Sequence, residues 1–138
     1  MRGARLERAQ SDASYPGELL GDLAVSFKTA LVMQARSASS RLPRKIFAEI
    51  RGISALEIQM QRLENSPVEE FWIATTTNPE DDQISHVAAR RGWAVFRGDE
   101  LDVQSRFLGI IEESCPELVV RVTGDNPFTH WSAVSVLK

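Results

Sequence analysis

Four short apolar runs separated by amphipathic stretches constrain the fold of this 138-residue chain more than any other feature. Short apolar runs without alternation are typical of strands that are buried on both faces of a sheet. Between them, apolar residues recur at the spacing of helices that pack on one face. The pattern predicts βαβ units and an α/β fold with a mostly parallel, doubly wound sheet. The four predicted strands are residues 30–33, 71–74, 93–96 and 118–122.

Local start and stop signals predict helices between these strands. Ser54 and Glu57 form a Ser-x-x-Glu capping box, which predicts the start of a helix. Pro79 after an asparagine predicts a second start, Gly92 predicts the end of that helix, and a third helix is predicted over residues 101–114. The residues expected to face the core from the three helices are Leu56, Met60, Leu63, Ile84, Val87, Ala88, Val103, Phe107, Ile110 and Ile111.

Composition and charge exclude several classes of protein. The chain has 43% hydrophobic residues and a formal net charge of -3, which fits a globular domain and argues against a nucleic-acid-binding protein. One cysteine excludes an internal disulfide, and with only two histidines it leaves too few ligands for a zinc cluster. We therefore expect a reduced, cytoplasmic setting.

The first 27 residues are expected to be a loosely attached extension, and residues 28–138 one domain. Arginines stand at positions 2, 5 and 8, and charged residues and glycines interrupt the apolar positions that follow. The segment therefore fits neither a secretory signal nor a membrane span. A short helix or partial disorder is expected there.

A basic segment follows the first predicted strand. Residues 34–45, QARSASSRLPRK, hold Arg36, Arg41, Arg44 and Lys45 and no acid, although the whole chain is acidic. Open parallel sheets bind ligands beyond the carboxyl ends of their strands, where this segment is predicted to lie. Guanidinium and ammonium groups suit the oxygens of a triphosphate. A solvated surface loop is the alternative interpretation.

One carboxylate is predicted at the same edge of the sheet. Asp125 follows the fourth predicted strand, in the segment TGDNP. Proteins usually hold Mg²⁺ by one or two carboxylates together with substrate phosphates. The basic segment and Asp125 are therefore predicted to form one metal–nucleotide site; a turn-forming role for Asp125 is the alternative. Neither a P-loop motif nor Gly-x-Gly-x-x-Gly follows the first strand, which argues against P-loop NTPases and dinucleotide dehydrogenases.

Short motifs follow one another in a fixed order along residues 29 to about 130. They are QAR and SRLP with Lys45, then AT and NPEDD within residues 74–82, FRG at 96–98, the Asp-Val and Arg of DVQSR, and VRVTGDNP at 120–127. In order and spacing they resemble the cytidylyltransferases that make CMP-linked acidic sugars, especially the branch similar to spore-coat polysaccharide biosynthesis proteins.

The resemblance implies a Rossmann-like fold of the nucleotide-diphospho-sugar transferase type. It implies transfer of CMP from CTP to an acidic sugar with release of pyrophosphate, in surface polysaccharide or glycan precursor synthesis. Arg36 and Lys45 would be catalytic, polarising the triphosphate, and Asp125 would ligate Mg²⁺. The residues expected to bind the nucleotide are Arg36, Ser40, Arg41, Lys45, Thr75, Asp102 and Arg106.

Several of these residues have structural alternatives. Thr75 is also explained as the end of a strand. Asp102 and Arg106 stand four positions apart, so a surface ion pair on a helix explains them almost as well. Two acids of NPEDD, Asp81 and Asp82, are interpreted as first-turn acids of the second helix rather than ligands.

The chain also departs from the family it resembles. Arg44 stands where these enzymes usually have glycine, which removes backbone freedom from the phosphate loop. Full family members continue past the equivalent of residue 138 with an acceptor-sugar pocket, a dimerisation arm and a second metal-binding acid, so only the N-terminal portion of the fold is expected. The open hypotheses are an enzyme that is truncated or completed by a homodimer or a partner chain, a nucleotide-binding module without turnover, and a structural domain whose basic loop contacts another protein.

Overall fold

A computed structural model describes residues 27–137, in which a four-stranded parallel sheet carries helices on both faces. In chain order, the elements are β1 (Thr29–Gln34), β2 (Glu49–Ile50), β3 (Ile53–Ser54), α1 (Ala55–Leu63), β4 (Glu70–Thr76), α2 (Asp82–Arg90), β5 (Ala94–Gly98), α3 (Val103–Ser114), β6 (Leu118–Thr123) and α4 (Trp131–Leu137). Single 3₁₀ turns precede β2 and α2, at Lys45–Phe47 and Pro79–Asp81. The predicted N-terminal extension, apart from Phe27, lies outside the described residues.

The strand order β5-β4-β1-β6 places β1 between two partners, and every neighbouring pair is parallel. Near the carboxyl end of β1, Gln34 pairs with Ala74 of β4 on one side and with Thr123 of β6 on the other. The loops that follow these strands therefore meet at one edge of the sheet. The predicted doubly wound α/β fold is confirmed.

Two apolar layers hold the helices to the sheet. Because successive strand residues point to opposite faces, alternate residues of β1 contribute to different layers. The layer beneath α1, α2 and α4 contains Leu31, Met33, Leu56, Met60, Leu63, Ile73, Ile84, Val87 and Val134. The layer beneath α3 contains Ala30, Val32, Trp72, Ala74 and Ile110, with Phe107 partly buried against it.

The local signals for helix ends are confirmed, with two shifts in position: a 3₁₀ turn begins at Pro79 and α2 itself begins at Asp82, and α3 also begins later than predicted. Both bonds of the capping box form: the Ser54 hydroxyl accepts from Glu57 N at 3.2 Å, and a Glu57 carboxylate oxygen accepts from Ser54 N at 3.3 Å. Gly92 follows α2 with φ 75°, a left-handed conformation that glycine adopts at little cost. The third helix begins two residues later than predicted, because Asp102 caps it.

Two short elements were not predicted, and one core assignment was wrong. The β2–β3 hairpin and α4 flank the basic segment and the TGDNP segment respectively. Ile111, predicted to face the core, is 38% exposed, whereas Ile110 is fully buried. Over residues 27–137, none of the helices is long and apolar enough to cross a membrane.

Candidate functional site

The basic segment forms a loop at the carboxyl edge of the sheet. Ala35 extends the ladder beyond β1, since its N–H donates to the carbonyl of Ala74 at 3.1 Å. The carbonyl of Ser37 then accepts from the N–H of Arg44 at 3.0 Å, which closes the loop between them. Arg44 has φ 57°, in the left-handed region that favours glycine. Arg44 therefore holds a conformation that glycine would adopt at lower cost.

Gly124 brings the end of β6 against β1. Its N–H donates to the carbonyl of Gln34 at 2.7 Å. A Cβ at this position would lie 2.9 Å from that carbonyl oxygen and 2.9 Å from the Cβ of Ala35, so a side chain would force the two segments apart. The close approach places the next residue, Asp125, beside the basic loop.

A cavity of about 310 Å³ opens between the basic loop and the end of β6. Four cationic side chains and one carboxylate line it, in a chain whose net charge is -3. The cations that follow β1 and the carboxylate that follows β6 therefore share one cavity. The charged residues are Arg36, Arg41, Lys45, Arg121 and Asp125, and Ser40 also lines the cavity.

Lys45 and Asp125 contact each other directly in this cavity. The Lys45 ammonium lies 3.3 Å from a carboxylate oxygen of Asp125, with both side chains more than a third exposed. Hydrogen bonds from the Thr123 hydroxyl and from Lys45 lower the pKa of Asp125, so this carboxyl is ionised at neutral pH. An exposed ion pair contributes little to the free energy of folding. Lys45 and Asp125 can therefore each bind a ligand in place of the other at a low cost in stability.

Arg36 is held by an acid from another loop. Its guanidinium lies 3.2 Å from a carboxylate oxygen of Glu100, which follows β5. The other oxygen of Glu100 accepts from the side-chain amide of Asn78 at 2.8 Å. Glu100 thus links the cation after β1 to the loop after β4, and an anionic ligand of Arg36 would compete with it.

Thr75 and Asp102 do not line the cavity. Thr75 is fully buried within β4, and its hydroxyl has no hydrogen-bond partner among the described residues. The carboxylate of Asp102 instead accepts from the N–H of Ser105 at 2.9 Å and caps α3. Asp102 therefore has a structural role that accounts for its position.

Arg106 is the largest fully buried side chain within residues 27–137. All three of its guanidinium nitrogens lack a hydrogen-bond partner there, and none of them lines the cavity. Burial, followed by the nearby charge of Arg36, lowers the pKa of this guanidinium. The interpretation of Asp102 and Arg106 as a surface ion pair is wrong, because Arg106 points into the interior.

Arg121 and Gln34 are among the residues that line the cavity but were not predicted as individual site residues. Arg121 donates to the side-chain oxygen of Gln34 at 2.9 Å, and its guanidinium lies 5.5 Å from the centre of the Phe107 ring. A signal existed in the sequence, because Arg121 stands two positions before Thr123 and so shares its face of β6. Gln34 of β1 pairs with Thr123 of β6, so its side chain lies on the same face of the sheet as Arg121.

The cavity offers a single carboxylate to a metal ion. Among residues 27–137, no cluster of three or more His, Cys, Asp or Glu side chains could hold a metal. A structural zinc site, which needs four protein ligands, does not fit this arrangement. Mg²⁺ fits it, because this ion is commonly held by one or two carboxylates with phosphate oxygens and water as its other ligands.

A parallel α/β sheet with a cation-lined cavity beyond its strand ends defines a Rossmann-like domain, and the cavity is its candidate ligand site. The model of the cytidylyltransferase family matches residues 30–137, and the chain belongs to that family. The resemblance drawn from the short motifs is confirmed by this match.

Similar proteins come from both bacteria and archaea. The chain is 33% identical to the spore coat polysaccharide biosynthesis protein SpsF of Bacillus subtilis, over 77% of this chain and 46% of that protein. It is 37% identical to an uncharacterised protein of Methanocaldococcus jannaschii, over 71% of this chain and 41% of that protein. The structure of a cytidylyltransferase from Leptospira borgpetersenii serovar Hardjo-bovis superposes with a TM-score of 0.76 at 30% identity, over 80% of this chain and 47% of that one. The chain thus spans less than half the length of these relatives.

Proposed function

We propose that this chain is the nucleotide-binding part of a nucleotidyltransferase that transfers CMP from CTP to an acidic sugar, for a surface polysaccharide or glycan precursor. The meeting of Arg36, Lys45 and Asp125 in one cavity carries the proposal. Family membership supports CTP as the nucleotide. Similarity to SpsF supports a polysaccharide precursor as the product. Arg121, a further cation at the same cavity, suits an acceptor that bears a carboxylate.

The proposed reaction needs alignment and charge neutralisation more than a special nucleophile. A sugar hydroxyl oxygen forms a bond to the α-phosphorus of CTP, while the bond from that phosphorus to the oxygen bridging to the β-phosphate breaks. Pyrophosphate leaves with the electron pair, and the hydroxyl proton passes to solvent. Fixed cations aimed at the phosphate oxygens favour this step because negative charge shifts toward the leaving group.

Each cavity residue has a distinct part in the proposal. Arg36 offers a planar fork to two phosphate oxygens and Lys45 offers a mobile point charge. Ser40 donates a hydrogen bond from its hydroxyl, and Arg41 adds charge at the exposed rim. Asp125 would hold Mg²⁺, which leaves the Lys45 ammonium available to a phosphate oxygen. When bound, the ion supplies charge neutralisation for the triphosphate and the pyrophosphate.

Calorimetric titration of the whole chain with CTP, with and without Mg²⁺, tests the proposal. We expect binding that requires Mg²⁺ and that is tighter for CTP than for UTP, ATP or GTP. Arg36→Ala and Lys45→Ala should each weaken binding by about tenfold or more, since each removes a charge-assisted hydrogen bond. Asp125→Asn should remove the Mg²⁺ requirement. Arg90→Ala is the matched control, because Arg90 is an exposed arginine outside the cavity and pairs with Glu57.

Pyrophosphate release with candidate acidic sugars then separates catalysis from binding. Release that depends on both CTP and the sugar supports a transferase. Binding of CTP without release would identify a nucleotide-binding module without turnover. Absence of affinity for any nucleotide would reject the proposal and favour a structural domain whose basic loop contacts another protein.

A further inference from the structure

Asp81 is a buried carboxylate that binds the start of the basic loop, at Ser37. It is 1% exposed and precedes α2. One of its oxygens accepts from the N–H of Ser37 at 2.7 Å and from the Ser37 hydroxyl at 2.6 Å. The other oxygen accepts from the hydroxyl of Thr76, at the end of β4. The carboxylate therefore bridges the loop after β1 to the loop after β4.

Ser37 lies where the basic loop closes on itself, a point that we call the neck of the loop, and Asp81 binds this residue. The N–H of Ser37 is bound by Asp81, and its carbonyl accepts from Arg44 at the other end of the loop. Arg36 directly precedes this neck, and Ser40 and Arg41 lie between Ser37 and Arg44. Arg36, Ser40 and Arg41 are thus within four positions of the anchored serine, and Lys45 directly follows Arg44 at the other end of the loop.

The bonds to Asp81 differ in kind from those that hold the cations. Arg36 and Lys45 pair with Glu100 and Asp125 at the exposed surface, where solvent screens the attraction. The three hydrogen bonds to Asp81 are buried and involve a charged acceptor, which makes them stronger. Burial raises the pKa of Asp81, but the bonds from Ser37 and Thr76 outweigh burial and lower it, so the group stays ionised.

We propose that Asp81 is a positioning residue for nucleotide binding, which holds the neck of the basic loop so that Arg36, Ser40 and Arg41 are ordered before the triphosphate arrives. It contacts no ligand itself. A loop that is already ordered loses less conformational entropy on binding, and the saving increases affinity. This inference rests on the proposed function of the cavity, because it assigns the residue that supports that site.

Three variants separate positioning from simple stabilisation. Asp81→Ala removes all three bonds, and Asp81→Asn keeps an oxygen that can still accept from Ser37. Thr76→Val removes the bond from Thr76 to Asp81 and the bond that the Thr76 hydroxyl accepts from the N–H of Asn78 at 3.1 Å, but it leaves both bonds from Ser37 to Asp81, and it serves as the matched control. We expect Mg²⁺–CTP affinity to fall by about tenfold or more in Asp81→Ala and by a smaller factor in Asp81→Asn. Thr76→Val should stay within about twofold of the wild type.

The direction of the Asp81→Asn effect distinguishes positioning from electrostatics. Removal of a negative charge near the cavity would strengthen triphosphate binding if charge alone mattered. Positioning predicts weaker binding instead, because the loop is less firmly held. Tighter binding by Asp81→Asn, or an equal loss of affinity in Thr76→Val and Asp81→Ala, would overturn the inference.

Amide hydrogen exchange provides a readout that does not depend on CTP. Without ligand, residues 38–42 should exchange faster in Asp81→Asn than in the wild type, while β1 and β4 keep their protection. Unchanged exchange in the loop would overturn the inference. If the wild type does not bind CTP, the proposed function fails, but faster exchange in the loop still supports Asp81 as its anchor.

Discussion

Arg106 brings a positive charge into the interior without a hydrogen-bond partner among residues 27–137. Helical spacing accounts for its burial: it follows Val103 by three positions and precedes Ile110 by four, so it lies on the core-facing side of α3. The same spacing was available in the sequence. The charge of the side chain favoured a surface interpretation. That interpretation was wrong because the position of Arg106 on α3, and not its charge, determines that it is buried.

Arg106→Met should therefore stabilise the protein. Removing a buried charge without a hydrogen-bond partner ends a desolvation penalty, which is larger than the attraction of this charge to Asp81, Asp99 and Glu100. Replacement of buried ionic groups by apolar residues of similar size is often neutral or stabilising by up to about 4 kcal/mol. Urea unfolding should show a free energy of unfolding that is unchanged or higher. Arg121→Met, at an exposed arginine, is the control and should change stability by less than about 1 kcal/mol. A loss of more than that in Arg106→Met would show that the guanidinium contributes a favourable interaction.

Glu100 should act as a competitor of the nucleotide, because it pairs with Arg36 at 3.2 Å. Glu100→Gln removes the competing charge, and an exposed ion pair is worth up to about 1 kcal/mol. We therefore expect Mg²⁺–CTP affinity to rise by about two- to fivefold in calorimetric titrations. Glu117→Gln, an exposed acid beyond α3, should leave affinity unchanged. Weaker binding by Glu100→Gln would mean that this acid helps to place Arg36 for the ligand.

The role of Asp102 follows from its position directly before the first residue of α3. The first turn of a helix leaves N–H groups without partners, and a carboxylate at the cap accepts from one of them. Ser105 supplies that N–H at 2.9 Å. An exposed cap accounts for the aspartate in this motif without any contact to the nucleotide.

Asp102→Ala and Asp102→Asn test this assignment. The alanine variant should lose about 0.5–2 kcal/mol of unfolding free energy, since alanine cannot cap the helix. The asparagine variant should retain most of the stability because its side-chain oxygen still accepts the bond. Both should bind Mg²⁺–CTP as the wild type does. Loss of CTP affinity in the asparagine variant, with stability intact, would return Asp102 to the binding site.

Long periodic elements were predictable, and short ones were not. Each strand of the β2–β3 hairpin has two residues, too few for alternation to show. Its turn contains Arg51 at φ 54° and Gly52 at φ 79°, and only the glycine gives a signal for that conformation in the sequence.

The cavity itself was predictable in outline, because parallel strands bring the loops after β1 and β6 together. The anchor at Asp81 was not, because its bonds join residues 44 and 5 positions apart.

For the whole molecule, the carboxyls with perturbed pKa values indicate how stability depends on acidity. The pKa is lowered for Glu57, Glu70, Asp81 and Asp125, and each of them accepts hydrogen bonds in the folded state. A carboxyl whose folded pKa lies below its unfolded value stabilises the fold above the unfolded pKa. The protein should therefore lose stability as pH falls below about 4.5.

Glu70 makes the largest identifiable contribution to that loss. It lies in β4 at the end of the sheet opposite the cavity, and it links this strand to the end of α3 and to the segment before β1. One of its oxygens accepts from the Ser114 hydroxyl at the end of α3 and from the Trp72 indole, and the other lies 2.9 Å from the Lys28 ammonium. The Ser114 bond, followed by the Trp72 bond, lowers the pKa of Glu70 from 4.5 to about 2. The stabilisation is therefore complete above pH 4.5 and is lost as pH falls toward 2.

Glu70→Gln should reproduce at neutral pH what protonation does in acid. We expect the variant to lose on the order of 1–2 kcal/mol of unfolding free energy at pH 7, a value that takes account of the partial exposure of this group. Urea unfolding of both proteins in steps from pH 7 down to 3 should show that difference shrinking below pH 4.5. In that range the unfolded wild type takes up a proton at Glu70 while the folded form, with a pKa of about 2, stays ionised, so the advantage of the folded state decreases. Glu113→Gln, at an exposed acid of α3, should follow the wild type throughout. A difference that stays constant down to pH 3 would mean that the variant loses packing rather than charge, and the acid sensitivity of the fold would then have to come from the other three carboxyls.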